Sequence, residues 1–289
     1  MNSPQSTPRS QREKKKNLFS ALSAFSAVKI MNMFDVQKFH KYRKGDFGKD
    51  LIYFDEVDST NRVASDLAKN GAAEGTVVLA DGQTQGRGRN SRIWYSPPGV
   101  NLYFTVVLFP PLDRLHYLPY VAGLSVARAL EPLGIPSELK WPNDILVDGK
   151  KAGGVLIQTS IEQNRLQFAL AGIGINVNAV HFPDELQPIA ISLTQVLGKK
   201  IVREQLLADI LFDLEQLYGR IARMSWEEMA ELVGRHSSIL TGCAVEIEQQ
   251  GEIKSGVTQG LDSMGGLIVQ TAAGREIFYA GEIVSCRKR

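Results

Sequence analysis

Residues 82–94 contain the side chains best suited to chemistry in this chain of 289 residues. The stretch reads GQTQGRGRNSRIW, with three glycines, three arginines and a closing Trp94. Glycine lets the backbone approach a ligand closely, and the bare amides of such a loop bind anions. Arginine binds phosphate or carboxylate through paired hydrogen bonds. The loop therefore predicts a phosphate-binding site, although a flexible nucleic-acid contact or a solvated linker fits the same pattern.

A second polar group, Ser59, Thr60 and Asn61, follows a predicted strand at residues 51–54. Serine, threonine and asparagine are the residues that cap the first turn of a helix, and residues 61–69 have a helical pattern. By itself this group is explained by a helix start.

Two glycine-containing strands follow the motif Lys-Trp-Pro-Asn-Asp at residues 140–144. Residues 145–147 and 151–161 are predicted to pair through an Asp-Gly turn, and the second strand carries Gly153 and Gly154. A pair of glycines inside a strand weakens it and indicates that a ligand or another backbone comes close. Residues 166–175 pair back and lead into Gly-x-Gly-x-Asn at 172–176, which an ordinary strand end also explains.

These motifs need a sheet to position them, and the apolar patterns of the rest of the chain predict one. Residues 76–80 and 101–109 are predicted strands on either side of the glycine- and arginine-rich loop, and 117–133 and 203–221 are predicted helices. From residue 244 onward five short strands alternate with glycine-containing turns, as in a small SH3-like barrel. We place a domain boundary near residue 238, which gives a catalytic domain at 49–237 and a β-rich domain at 238–289.

The composition excludes several classes of protein. The net charge is +2, from 33 basic and 31 acidic residues, which gives no support for nucleic-acid binding. Cys243 and Cys286 do not form a CxxC motif, and the four histidines are scattered, so we expect no metal site. No apolar run is long enough to span a membrane, and we expect a cytoplasmic protein.

Residues 1–48 differ from the rest, with a charge run at residues 11–16. Such a segment is typical of a disordered extension. A basic transit peptide and a true start at Met31 or Met33 are the alternatives.

Taken in order, the motifs resemble those of the biotin protein ligases over residues 50–289. Those enzymes carry an early Ser-Thr-Asn, a Gly-Arg-Gly-Arg loop that ends in Trp, Lys-Trp-Pro-Asn-Asp, Lys-x-x-Gly and Gly-x-Gly-x-Asn, and they end in an SH3-like domain. The resemblance implies an α+β fold, with a mixed-sheet catalytic domain related to class II aminoacyl-tRNA synthetases and lipoate ligases. It also implies that biotin and ATP, with Mg²⁺, give biotinyl-adenylate and pyrophosphate, after which a lysine of a carboxyl-carrier domain takes the biotin.

The resemblance also implies a role for individual residues. The biotin ring would be bound by hydroxyl and amide groups, the loop would face biotin and the adenylate, and Lys151 would contact the biotin carboxylate and the α-phosphate. Catalysis would rest on Lys151, Arg87 and Arg89. The implied biotin contacts are Ser59, Thr60, Asn61, Gln83, Gly86, Arg87, Gly88, Arg89, Lys151, Gly153 and Gly154. The implied nucleotide contacts are Arg89, Arg92, Trp94, Asn143, Lys151 and Asn176.

Three assignments within the resemblance stay open. Asp144 would orient a neighbour or a magnesium-bound water. The family has a tighter spacing than the one between Glu282 and Arg287, which puts an ATP contact by either residue in doubt. A homodimer through strand 166–175 or the barrel is possible.

Three other functions compete with biotin ligation. A lipoate or octanoate ligase or transferase would share the catalytic fold, but the Gly-Arg-Gly-Arg run and the SH3-like end favour biotin. A non-catalytic biotin-binding protein would be expected to have lost Lys151 or the arginines. A DNA-binding regulator would need a helix-turn-helix before the catalytic domain, and since only about 48 residues precede it, we expect no specific DNA binding.

Overall fold

A mixed sheet of seven strands forms the larger part of the computed structural model, which describes residues 33–288. Its strands lie in the order β1-β2-β3-β7-β6-β5-β4, with β1 and β2 parallel and all other neighbours antiparallel. The strands are β1 (Leu51–Val57), β2 (Val77–Gln83), β3 (Leu102–Leu108), β4 (Glu138–Lys140), β5 (Asp144–Val147), β6 (Lys150–Glu162) and β7 (Arg165–Ile175).

Helices cover this sheet because its central strands are apolar on both faces. All seven residues of β3 are buried, as are six of the seven in β2. Continuous burial of this kind requires a layer on each side of the sheet. The helices are α1 (Val36–Tyr42), α2 (Thr60–Lys69), α3 (Leu118–Leu130), α4 (Leu193–Leu197), α5 (Arg203–Tyr218) and α6 (Trp226–Arg235). None of the helices in residues 33–288 is both long enough and apolar enough to cross a membrane.

The first helix corrects the prediction of a disordered segment through residue 48. Asp35 caps α1 by accepting a hydrogen bond from the Lys38 amide at 2.9 Å, and Phe39 is fully buried. Asp35 also donates its amide to Glu204 of α5, at 3.1 Å. The prediction is wrong for residues 35–48 because these contacts make them part of the packed unit. Residues 1–32 of the predicted extension lie outside the described residues.

A second sheet of five antiparallel strands follows α6, in the order β11-β10-β9-β8-β12. Its strands are β8 (Thr241–Gln249), β9 (Glu252–Leu261), β10 (Leu267–Thr271), β11 (Gly274–Phe278) and β12 (Glu282–Lys288). All five predicted strands are present, and the sheet is consistent with an SH3-like domain. The boundary near residue 238 stays a prediction.

The sheet order also corrects one suggestion about dimers. Residues 169–175 of β7 pair with β3 on one side and with β6 on the other. Their backbone groups are already used, so this part of strand 166–175 cannot add a strand from a second copy.

Candidate functional site

A cavity of about 570 Å³ lies on the face of the large sheet where α2 begins. A volume of this size holds a ligand of small-molecule dimensions. Most of the residues predicted from the sequence line it: Ser59, Thr60, Asn61, Gln83, Arg87, Gly88, Arg89, Arg92, Trp94, Asn143, Lys151, Gly154 and Asn176. The structure thus brings together side chains that lie up to 117 residues apart in the chain.

Two predicted contacts, Gly86 and Gly153, do not line the cavity. Successive residues of a strand face opposite sides of the sheet, so Gly154 faces the cavity and Gly153 faces away. A Cβ at Gly153 would lie 3.3 Å from Ile145 Cδ1. Gly86 instead forms the base of the loop, where a Cβ would lie 2.7 Å from the carbonyl oxygen of Trp94. Both glycines therefore serve close packing in the structure.

One wall of the cavity is a network of neutral polar side chains at the start of α2. The Thr60 amide donates to Gln83 Oε1 at 2.9 Å, and Gln83 Nε2 donates to the Ser96 hydroxyl at 3.1 Å. Thr105 of β3 donates to Asn61 Oδ1 at 2.6 Å, and its hydroxyl oxygen lies 2.9 Å from that of Thr60. The network holds Thr60, Asn61 and Gln83 in fixed orientations.

Ser59 stands at the N-cap position of α2 but makes no capping hydrogen bond through its side chain. The helix start therefore does not account for this buried hydroxyl, which lines the cavity. Because a neutral ring with donors and acceptors needs hydroxyl and amide partners, this wall suits such a ring better than it suits an ion.

The glycines of β7 make room for the side chains of this wall. Gly172 pairs with Thr105 across the two strands, and a Cβ on Gly172 would lie 2.2 Å from Asn61 Oδ1. A Cβ on Gly174 would lie 2.6 Å from Trp94 Nε1. These distances are too short for any side chain, so the Gly-x-Gly spacing is required by Asn61 and Trp94.

The glycine- and arginine-rich loop folds as a small hairpin over the cavity. The Trp94 amide donates to the Gly86 carbonyl at 2.8 Å, and the Gly88 amide donates to the Arg92 carbonyl at 2.7 Å. Asn90 and Ser91 form the tip with positive φ angles of 53° and 58°. The hairpin directs its arginines and Trp94 toward the cavity, and among the described residues Trp94 Nε1 is a buried donor without a hydrogen-bond partner.

Lys151 lies at the other side of the cavity, at the start of β6. Its ammonium is 2.5 Å from Asp144 Oδ1 and 5.4 Å from the centroid of the Trp94 ring. Asn176 Nδ2 donates to the Lys151 carbonyl at 3.3 Å, and the Lys151 amide donates to the Ile189 carbonyl at 2.8 Å. The backbone of Lys151 is therefore held from two sides while its side chain faces the cavity.

Two loop arginines reach the start of β12 in the second sheet. Arg89 Nη1 lies 3.4 Å from Asn143 Oδ1 and 3.5 Å from the Gly281 carbonyl, and burial lowers the pKa of Arg89. Arg92 forms an ion pair with Glu282 at 2.5 Å, which lowers the pKa of the Glu282 carboxyl. Glu282 thus lines the cavity, whereas Arg287 is exposed and is not among the lining residues.

Sequence reasoning missed several residues of the site. Thr105 was a detectable signal, because it is a polar residue inside an otherwise apolar strand. Ser96 and Gln158, whose Oε1 accepts from Asn61 Nδ2 at 2.8 Å, had no local signal. In the part of the chain that the structure describes, no group of three or more His, Cys, Asp or Glu residues is placed to hold a metal ion.

Comparison with known proteins agrees with this fold and cavity. The family model for the Biotin/lipoate A/B protein ligase family matches residues 53–176, and the model for the Biotin protein ligase C terminal domain matches residues 242–284. The chain therefore belongs to the biotin and lipoate protein ligases. Within that class it belongs to the biotin protein ligases.

Individual relatives cover most of the chain. The bifunctional ligase/repressor BirA of Bacillus spizizenii is 38% identical over 248 residues, which is 82% of this chain and 74% of that protein. The biotin–[acetyl-CoA-carboxylase] ligase of Paracoccus denitrificans is 31% identical over 78% of this chain and 97% of that protein. The structure of the Aquifex aeolicus biotin protein ligase in complex with biotin and ATP is 33% identical, with a TM-score of 0.69 over 83% of this chain and 100% of that one.

Proposed function

We propose that this protein is an ATP-dependent biotin ligase. The observation that carries the proposal is a single cavity that joins a wall of neutral polar groups to Lys151 and the loop arginines. Biotin and ATP react there to give biotinyl-adenylate and pyrophosphate. The biotin then passes to a lysine of an acceptor protein, and AMP is released.

The neutral wall binds the biotin ring, with the hydroxyls and amides of Ser59, Thr60, Asn61 and Gln83 as partners. Thr105 and Ser96 keep these groups in place from behind. With the ring held there, the carboxylate of biotin extends along β6 toward Lys151.

The cationic side of the cavity brings the carboxylate and the α-phosphate of ATP together. Both groups are anionic, and attack of one on the other needs positive charge beside them and in-line placement. Lys151 contacts both groups, and Arg87 and Arg89 stabilise the charge on the phosphate oxygens. Trp94 covers the adenine, and Arg92, Asn143 and Asn176 contact the nucleotide. Mg²⁺ enters bound to ATP.

Asp144 is the counter-ion that Lys151 exchanges when substrates bind. The two side chains are an ion pair in the structure, and both remain partly exposed, at 35% and 21%. An incoming carboxylate or phosphate replaces Asp144 as the partner of the ammonium. Asp144 would then be free to orient a neighbouring group or a water held by the Mg²⁺ of the nucleotide.

The acceptor that we propose is the biotin carboxyl-carrier domain of acetyl-CoA carboxylase or another biotin-dependent carboxylase. The name of the Paracoccus denitrificans relative supports this choice. The acceptor amine attacks the carbonyl carbon of the adenylate, an amide bond forms, and the bond to the phosphate oxygen breaks. A homodimer and the lack of specific DNA binding stay predictions.

Lipoate or octanoate ligation is the competing function, since the matching family model includes lipoate ligases. The match of residues 242–284 to a biotin protein ligase C-terminal domain favours biotin.

ATP–pyrophosphate exchange tests the proposal. The purified protein is assayed with Mg²⁺ and with biotin, lipoate, octanoate or no acid. We expect exchange with biotin alone. Exchange with lipoate or octanoate would move the protein to the sister activity, and no exchange from folded protein would contradict ligation and favour a binding protein.

A further inference from the structure

The turn at residues 262–266, between β9 and β10, attaches the second sheet to the catalytic domain. The Gly265 carbonyl accepts a hydrogen bond from the Tyr120 hydroxyl at 2.6 Å and another from Trp141 Nε1 at 3.3 Å. Tyr120 and Trp141 are buried, with exposed fractions of 8% and 4%. One carbonyl oxygen thus connects α3 and the segment before β5 to the C-terminal domain. We call Tyr120, Trp141 and Gly265 the Gly265 clamp.

The turn that presents this carbonyl is held by its own hydrogen bonds. Asp262 Oδ1 accepts from the amides of Met264 and Gly266 at 3.0 and 2.7 Å, and Asp262 Oδ2 accepts from the Tyr279 hydroxyl at 2.5 Å. Gly265 has a φ of +81°, and a Cβ there would lie 3.0 Å from the Tyr120 ring. Contacts within the second domain therefore fix the conformation of the turn. Only glycine fits at position 265 against the Tyr120 ring.

Two connections lead from the clamp to the nucleotide side of the cavity. Within the catalytic domain, Trp141 stands two residues before Asn143, whose side chain lies 3.4 Å from Arg89. Within the second domain, Gly281 and Glu282 contact Arg89 and Arg92 at 3.5 and 2.5 Å. The clamp holds the second domain in place, and it therefore determines where Gly281 and Glu282 lie relative to the loop arginines.

We infer that Tyr120 is a positioning residue for the ATP half of the reaction, with Trp141, which also lines the cavity, as the second donor to the same carbonyl. They act through Gly265, which places the turn at residues 281–282 against Arg89 and Arg92. Neither residue is among the groups assigned to the biotin ring. This inference rests on the proposed function, because it assigns Arg89 and Arg92 to the nucleotide.

The test compares Tyr120→Phe with Tyr117→Phe. Both tyrosines are buried, both pack against Trp226, with ring centroids 5.7 and 5.3 Å away, and both donate to a backbone carbonyl. The Tyr117 partner is Met224, which lies inside the catalytic domain, so only Tyr120→Phe weakens the clamp. Calorimetry measures the binding of α,β-methylene-ATP with Mg²⁺, and separately of biotin, and pyrophosphate exchange gives the KM for ATP and kcat.

We expect Tyr120→Phe to weaken binding of the ATP analogue and to raise the KM for ATP by about threefold to tenfold, the effect of one lost hydrogen bond. Biotin affinity and kcat should change less than twofold, and Tyr117→Phe should bind both ligands as the unchanged protein does. Equal analogue affinity in the two variants would overturn the inference, as would a lack of analogue binding by the unchanged protein. Normal analogue binding without biotin-dependent exchange would contradict the proposed function. The analogue affinities of the two variants would then decide whether the clamp inference holds.

Discussion

Lys151 is the residue on which we propose that the two anionic substrates converge, because its charge is what the chemistry requires. Its backbone is fixed by Asn176 and Ile189, while its ammonium contacts Asp144 and lies over Trp94. A lysine held this way keeps its position when its partner changes. The adjacent Lys150 donates to the Gln187 carbonyl at 3.2 Å and is not a lining residue.

Replacing Lys151 by glutamine should reduce kcat for pyrophosphate exchange by at least about 100-fold, because a neutral amide cannot stabilise charge on the α-phosphate. Lys150→Gln removes the same charge one residue away and should stay within twofold of the unchanged protein. The measurement is exchange at saturating biotin and ATP. Similar losses in the two variants would show that general charge, and not the position of Lys151, matters.

Thr105→Val tests whether the Thr105 hydroxyl supports the neutral polar wall of the cavity. Valine has nearly the same shape but leaves Asn61 Oδ1 without the donor seen at 2.6 Å, so we expect biotin affinity to fall about tenfold. Thr258→Val removes a buried threonine hydroxyl from the second sheet and is the matched control for lost stability. Isothermal calorimetry with biotin gives the two dissociation constants. Unchanged affinity in Thr105→Val would remove Thr105 from the site.

The loop hairpin is the element that connects the catalytic domain to the second sheet at the cavity. Its base is closed by the backbone hydrogen bonds of Gly86 and Trp94, and its arginines reach Gly281 and Glu282. The glycines allow the hairpin to form, and the arginines determine what it contacts. We therefore expect retention of the adenylate to depend on the whole element.

Arg89→Gly should open this element on the cavity side, because the contacts with Asn143 and Gly281 are lost together. We expect biotinyl-adenylate to leave the cavity and label lysines of bystander proteins. The readout is biotin incorporated into added serum albumin, with Arg275→Gly, in β11 of the second sheet and not a lining residue, as the control. No labelling above the unchanged protein would contradict this role of Arg89.

The sequence predicted the strands and the loop because glycine spacing and apolar runs are local signals. It could not predict that Arg92 meets Glu282, since the two residues are 190 positions apart in the chain and no periodicity connects them. It assigned Gly153 to biotin through the resemblance of the Lys-Ala-Gly-Gly motif, and no local signal showed that the pairing of β5 with β6 shifts register between Ile145 and Leu146, opposite Gly153 and Lys151. It missed α1 because the nearby charge run outweighed the cap at Asp35 and the apolar Phe39.

At the scale of the whole molecule, we expect two histidines to make stability depend on pH. Burial lowers the pKa of His116, which packs between Tyr117 and Trp226, and burial also lowers the pKa of His236. Below a pH of about 6.5 the unfolded chain takes up protons that the folded chain binds less readily. The stabilisation is therefore present above that pH and is lost as the pH falls through the lowered pKa values.

We expect the melting temperature to fall between pH 7.5 and 5.5, and to fall less steeply in His116→Gln. Differential scanning calorimetry at intervals of half a pH unit measures the slope. An equally steep slope in the variant would show that His116 does not contribute to the change.

The order of the large sheet has a consequence for how the chain folds. Strands β1 to β3 come from residues 51–108 and strands β4 to β7 from residues 138–175, and the two sets of strands pair with each other only between β3 and β7. Pairing between distant segments costs more loop entropy than local pairing, so we expect this junction to form late. Thr105 and Gly172 face each other across it, and the cavity exists only when it is closed. Biotin should therefore slow hydrogen exchange of the β3 and β7 amides more than that of the β4 and β5 amides, because it binds only when this junction is formed.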